Sequence, residues 1–320
     1  IDIARLKFVL QHTTLETKKA LFLETLKGKA NALKLSPLSA LYNFEIASLY
    51  QQQGNTYNNN SNENETNETH RWKLKNAIER CNSVIATYPK SDGSKKCEIL
   101  KQHITKPSLS VLAEDFIPVN SASRLLVSYK NLTALDFKIY KVNTEQLNTY
   151  NGFYNTNKKL NFFKNLRVTE TFSSILKTEN DYQNHSTEVV LPKLANGLYL
   201  IKASTNSKTN VFAATHIQVS NLALLESTEA NRLNYQLIDR TNGKPIIDAK
   251  IELWYSQNGY QQRWSKNLTT DIYGKFQLKK DNNYYRDVEI KTTHKDETAY
   301  FGEYYISRKY NQNKSNKNIC

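Results

Sequence analysis

The chain has 320 residues, 39% of them hydrophobic and 11% aromatic, with 9 Gly, 6 Pro and a formal net charge of +14. This composition closes apolar cores and excludes a wholly disordered, collagen-like or proline-rich chain. No run approaches the ~18 consecutive apolar residues of a spanning helix, so no membrane-spanning segment is expected.

At roughly 100–200 residues per domain, the length predicts two or three domains. The lysines are scattered, and dense stretches such as Lys158-Lys159 and Lys279-Lys280 are only pairs, the pattern of a solvated surface. No stretch interleaves Arg with aromatics as a phosphate-tracking groove does, so nucleic acid is not an expected partner. The chain opens at Ile1 and holds no Met, which leads us to expect a processed piece of a longer protein.

Residues 1–106 read as helical. Leu21, Leu23 and Leu26, then Leu41, Phe44, Ile46, Ala47 and Tyr50, follow the three-and-four spacing of amphipathic helices. Residues 51–67 are almost entirely Gln, Asn, Glu, Thr and Ser, and are expected to form an exposed polar loop. Helical spacing resumes at Trp72, Ala77, Cys81, Val84 and Ile85 and stops at Tyr88-Pro89, because Pro lacks a donor and restricts the residue before it. A further helix is expected over Ser94–Ile104. Tyr50, Gly54 and Tyr57, with Ala77, Cys81, Val84 and Pro89, resemble the two helices of a tetratricopeptide repeat, although the polar loop lengthens the usual turn.

From Lys106-Pro107 the period becomes two, with β-branched and aromatic enrichment. Strands are expected over Arg124–Lys130, Leu135–Val142, Glu188–Leu191, Leu198–Ala203 and Val211–Val219, with the Asn-rich stretch Asn143–Asn165 a broad loop or insertion. A second series comprises Leu233–Ile238, Ala249–Tyr255, Lys275–Lys279, Asp287–Thr292 and Thr298–Ile306. Short strands without clear intervening helices point to antiparallel β-sandwiches. The fold class is therefore a multi-domain α+β chain, with a helical pack over 1–106 and β-sandwiches over 107–222 and 223–310, closed by a flexible tail over 311–320.

Three local patterns stand out. Asn196-Gly197 makes a turn before a strand in which Tyr199 suits either a tyrosine corner or an ordinary half-buried strand position. Asn242-Gly243 supplies positive φ for a tight turn and Pro245 sets the exit into the next strand. Asp271 and Gly274 then frame a second turn before Phe276. The last two together, Asp239-x-x-x-Gly243-x-Pro245-Ile246, then Ala249-x-Ile251-x-Leu253, then Thr270-Asp271-x-x-Gly274-x-Phe276, resemble the macroglobulin-type and carboxypeptidase-regulatory-type sandwiches of bacterial envelope proteins.

Pro107-Ser108-Leu109-Ser110-Val111, Leu135–Val142, Leu191-Pro192 with Gly197-Leu198-Tyr199, and Val219-Ser220-Asn221-Leu222-Ala223 extend that resemblance. From about residue 75 to 280 the chain resembles the N-terminal part of a bacterial alpha-2-macroglobulin family protein of the kind found in Bacteroidetes. The resemblance implies an exported, envelope-associated protein of serial macroglobulin domains, located in the periplasm or at the outer-membrane surface. It would be membrane-anchored or part of a larger complex, with proteases or envelope proteins as partners. Family members trap proteases, often through a Cys–Gln thioester further along the chain. None of Cys81, Cys97 and Cys320 sits in such a motif, so trapping chemistry is not assigned to this stretch.

No enzyme is expected, and no catalytic residue, cofactor or metal ligand is assigned. The six histidines are dispersed, and no G-x-S-x-G, P-loop or G-x-G-x-x-G motif occurs. Asp271 and Asp281-Asn282-Asn283 are oxygen-rich but lack EF-hand spacing. Export would permit a Cys81–Cys97 disulfide, and two ordinary buried thiols are the alternative. The leading expectation is a non-enzymatic scaffold. Its alternative is a stand-alone adaptor, or a glycan- or protein-binding subunit of an outer-membrane or surface complex, with Trp254, Tyr255, Tyr260 and Trp264 as the aromatics that would stack on sugars.

Overall fold

A computed structural model describes residues 2–58, 65–205, 211–258 and 262–308. The first unit is helical: α1 (Asp2–His12), α2 (Lys18–Ala32), α3 (Ser39–Gly54), α4 (Glu65–Arg71), α5 (Lys73–Thr87) and α6 (Asp92–Thr105). The central helix is α3, because both of its faces are apolar or small. Ile46 and Leu49 pack with Phe22 and Leu26 of α2. On the other side, Ala40 and Ala47 pack with Leu74, Ala77, Cys81 and Val84 of α5 and with Cys97 and Leu100 of α6. Two glycines permit the closeness. A Cβ on Gly93 would lie 2.4 Å from the Ala40 carbonyl carbon, and one on Gly54 would lie 2.7 Å from the Leu74 side chain.

The polar stretch 51–67 departs from the expected loop. Helix α3 runs on to Gly54 and α4 begins at Glu65, while 59–64 lie outside the described residues. Polar side chains hold these ends where apolar burial is lacking. Asn67 pairs with both backbone groups of Asn58 at 3.0 Å, and the Thr56 hydroxyl lies 2.8 Å from His70 Nδ1.

The second unit is a β-sandwich of β1 (Ser108–Leu112), β2 (Phe116–Ile117), β3 (Ser123–Lys130), β4 (Ala134–Val142), β5 (Glu170–Ile175), β6 (His185–Leu191), β7 (Gly197–Ser204) and β8 (Phe212–Val219). One sheet has the order β1-β3-β6 and the other β2-β8-β7-β4-β5. Pairings are antiparallel except for the short parallel contact of β2 with β8. Leu125, Val127, Phe137, Ile139, Ile201 and Ile217 form the core between the sheets.

Residues 143–165 fold as two helices, α7 (Thr144–Asn151) and α8 (Thr156–Lys164), which corrects the expected broad loop. The Asn-rich composition serves as caps. The Asn143 side chain accepts from Gln146 N–H at 2.8 Å while Gln146 Oε1 accepts from Asn143 N–H, and Asn155 accepts from Asn157 and Lys158. Tyr150 and Phe163 are then buried on Tyr140, Val142, Leu198 and Leu200, the outer face of the second sheet.

The third unit pairs β9 (Leu222–Thr228), β10 (Arg232–Asp239), β11 (Lys250–Gln257), β12 (Arg263–Thr269), β13 (Lys275–Lys279), β14 (Tyr285–His294) and β15 (Glu297–Ile306) into two antiparallel sheets. Their orders are β13-β10-β9 and β12-β11-β14-β15. Tyr235, Leu237, Ile251, Leu253 and Ile290 fill the space between them, with Tyr235 stacked on Phe276 at 4.9 Å. Strands β1, β2, β5, β9 and β12 are not among those expected from the sequence. Strands β5 and β12 lie at sheet edges and are almost wholly exposed, so neither carries a clean apolar alternation. The expected tail over 311–320 lies outside the described residues.

Candidate functional site

Polar side chains of the first sandwich reach into both neighbouring units and set the geometry of the chain. Toward the helices, the segment following β5 carries Asp181, which is 1% exposed. Arg71 Nε donates to Asp181 at 3.1 Å and its Nη2 to Glu179 at 3.2 Å. His185 Nε2 lies 2.8 Å from the other Asp181 oxygen, which also accepts the Gln183 N–H. The Gln183 side chain donates to the carbonyls of Gly54 and Arg71. Burial would raise the Asp181 pKa, but hydrogen bonds from His185, the Gln183 amide and Arg71 outweigh it and hold the carboxyl below the ordinary range.

Toward the second sandwich, two side-chain amides grip the edge strand β15. Asn196 Nδ2 donates to Thr298 O and Asn196 Oδ1 accepts Thr298 N–H, both at 3.0 Å. Gln218 repeats this on Tyr300, donating at 3.1 Å and accepting at 2.8 Å. The Glu297 carboxylate accepts from the backbone and side chain of Asn221 at 3.0 Å, and Phe116 stacks on Phe301 at 5.8 Å. An edge strand presents unpaired backbone groups. Here the neighbouring sandwich supplies partners for two of its residues.

Between the sandwiches lies a cleft of about 660 Å³. Its floor is the outer face of the β12-β11-β14-β15 sheet, where Trp254 stands opposite Ser265 and Glu289, and Glu289 opposite Gly302. Its wall is α7 with Leu147, Asn148 and Asn151, joined by His216 of β8. Arg263 pairs with Glu289 at 3.2 Å and Lys291 with Glu252 at 3.3 Å.

The structure divides the four aromatics read from the sequence. Trp254 lines the cleft, whereas Trp264 and Tyr255 face each other in register on the opposite side of their strands, and Tyr260 lies outside the described residues. Tyr199 is buried and its hydroxyl donates to Ala195 O at 2.9 Å. Asn242 Oδ1 accepts Lys244 N–H, and Gly243 has φ 72° with its N–H on Asp239 O. Asp271 Oδ1 accepts the N–H groups of Tyr273 and Lys275. The two turns meet: a Cβ on Gly274 would stand 2.6 Å from Leu237 O and 3.1 Å from Pro245 Cβ. None of these turn residues lines the cleft. Cys81 and Cys97 are neighbouring free thiols, both 0% exposed, and the hydrogen bond to Cys81 together with burial pushes the Cys97 thiol up.

Among the described residues, no group of three or more His, Cys, Asp or Glu is arranged to hold a metal ion. No helix among them is long and apolar enough to cross a membrane. Apart from Trp254, the cleft residues escaped the sequence reading because the wall and the floor come from segments more than a hundred positions apart. A weak signal existed in Leu198-Tyr199-Leu200-Ile201, a strand apolar on both faces and therefore in need of a second cover such as α7 and α8.

The fold class that follows from these sheets is a helical unit and two β-sandwiches in series. No family model matches the chain, and no curated protein matches it. Among solved structures it is similar to a fragment of native alpha-2-macroglobulin from Escherichia coli spanning domains MG0-NIE-MG1, with 20% identity over 61% of this chain and 63% of that one, at a TM-score of 0.45. The chain therefore spans less than two thirds of that fragment. A shorter NIE-MG1 fragment of the same protein gives 18% identity over 62% of this chain and 97% of that one, with a TM-score of 0.46. The whole E. coli protein in its native conformation gives 16% identity over 61% of this chain and 12% of that one, with a TM-score of 0.38.

Proposed function

We propose that this chain is a non-enzymatic scaffold region of an envelope-associated, alpha-2-macroglobulin-like protein whose partners are other proteins. The observation that carries the reading is the pair of polar junctions. Asp181 and Gln183 tie the helices to the first sandwich, and Asn196 and Gln218 tie the second sandwich to it. Each junction pairs side chains with backbone or charge at fixed geometry, which suits a stiff spacer better than independent domains on flexible linkers.

The sequence resemblance supports the family, its Bacteroidetes type and its cell-envelope location. The meeting of Gly54 at the end of α3 with Leu74 at the start of α5 supports a tetratricopeptide-like pair offering a surface to another chain. In this reading protease trapping belongs to the full-length protein, and this stretch contributes position and no chemistry.

The test is the intact mass of the native polypeptide extracted from the source cell's envelope. A species several times larger than 37.0 kDa is expected, and methylamine sensitivity would then locate any thioester. A species near 37.0 kDa would overturn the reading and leave a stand-alone adaptor.

A further inference from the structure

The cleft between the sandwiches has a composition that the scaffold role does not use. Trp254 lines the cavity and makes no ring or cation contact with any described residue. The side chains of Asn148, Asn151 and His216 make no hydrogen bond among the described residues, and all three line the same space. Gly302, opposite Glu289 on the side away from Trp254, leaves the floor beside Glu289 without a side chain. The cleft thus joins one aromatic platform to several unspent donors and acceptors, within the roughly 300–1,000 Å³ of small-ligand sites.

The charges narrow the ligand. The lining carries two cations, Arg263 and Lys291, and two anions, Asp115 and Glu289, with Arg263 paired to Glu289, so neither an anion nor a cation meets a cluster of opposite, uncompensated charge. The backbone narrows it further. A peptide adding a strand needs an exposed sheet edge, but the floor is a sheet face, and β15 is already gripped at Thr298 and Tyr300. The remaining match is a molecule with an apolar C–H face for the indole and a rim of hydroxyls for amides and carboxylate.

We propose that the cleft between the two sandwiches binds a short neutral oligosaccharide, one ring lying on Trp254 and its hydroxyls bonded to Asn148, Asn151 and Glu289. The site does not rest on the scaffold reading and would stand in an adaptor equally well.

Titration calorimetry of the 320-residue chain with triacetylchitotriose, cellotriose and maltotriose tests it. Saturable binding of at least one trisaccharide is expected below about 10 mM, and Trp254→Ala should weaken it about tenfold. Asn148→Ala combined with Asn151→Ala, on the exposed wall, should weaken it severalfold, and Trp264→Ala, on the other side of the sheet, should leave it unchanged. Circular dichroism of each variant separates lost binding from lost fold, and the Asn148/Asn151 variant carries the test if Trp254→Ala fails to fold. No saturable binding of any of the three sugars overturns the proposal. So does binding indifferent to the cleft variants, or retention of casein-digest peptides in the cleft with the sugars excluded.

Discussion

Asn196 holds Thr298 by both of its backbone groups, donating to the carbonyl and accepting from the N–H at 3.0 Å each, while the same amide donates to Val219 O at 2.9 Å. One side chain thereby binds the end of a strand in its own sandwich and the edge strand of the next. Truncation would remove three hydrogen bonds at once. Asn196→Ala is expected to cost about 1–3 kcal/mol in urea unfolding. Because Gln218 grips Tyr300 two residues further along the same strand, Asn196→Ala and Gln218→Ala should be non-additive. Strict additivity, or a cost within error of zero, would show that the sandwiches are not coupled here.

The helical junction should be acid-sensitive. Asp181 has a pKa below the ordinary aspartate value of 3.8 in the folded chain. Its contribution to stability is therefore fully present above pH 3.8 and is lost as the pH falls through the depressed folded value. Arg71, which holds Asp181, also lies 5.1 Å from the ring of neighbouring Trp72, so the fluorescence of Trp72, isolated by Trp254→Phe and Trp264→Phe, reports on the junction. Asp181→Asn should be less stable than the parent at neutral pH, and the difference should shrink below pH 3.8. A constant difference across that range would contradict the role given to this carboxylate.

The two turn glycines should differ in cost. Gly243 has φ 72° with open space around a Cβ, so Gly243→Ala should lose about 1–2 kcal/mol, the left-handed penalty alone. Gly274 has φ 70° and would in addition press a methyl to 2.6 Å from Leu237 O, so Gly274→Ala should cost more. Thermal melts of both variants give the order, and an equal or reversed order would remove the close approach as its cause.

Cys81 and Cys97 should be inaccessible as well as reduced. Both are 0% exposed, which bars reagent from either sulfur; the Cys97 thiol is also pushed up, whereas the hydrogen bond from Cys97 lowers Cys81, so burial alone protects Cys81. Iodoacetamide at neutral pH should leave both untouched in the native chain and modify both in denaturant, as read by peptide mass. Absence of modification in denaturant without reductant would instead indicate a disulfide.

The parts legible in the sequence are those with local causes. The change from helical spacing to a period of two at Lys106-Pro107 marks the passage from helices to sheets, because burial of one face imposes that periodicity within a few residues. Strands such as β3 and β10 alternate cleanly for the same reason. Edge strands β5 and β12 do not, since each touches its core through one partly buried residue, Phe172 or Leu268, and leaves the rest of its composition unconstrained. Helices α7 and α8 were obscured because their Asn content reads as loop until the caps at Asn143 and Asn155 are placed.

By itself the sequence determined the succession of a helical unit and two sandwiches. Where those units meet was decided only by the tertiary structure. Asn196 and Gln218 belong to an ordinary turn and an ordinary strand in one dimension, and become junction residues only when β15 arrives from about a hundred positions away. The cleft likewise exists only once α7 overhangs the sheet that carries Trp254. Periodicity records which face of an element is buried, whereas pairing between distant polar groups leaves no repeat along the chain.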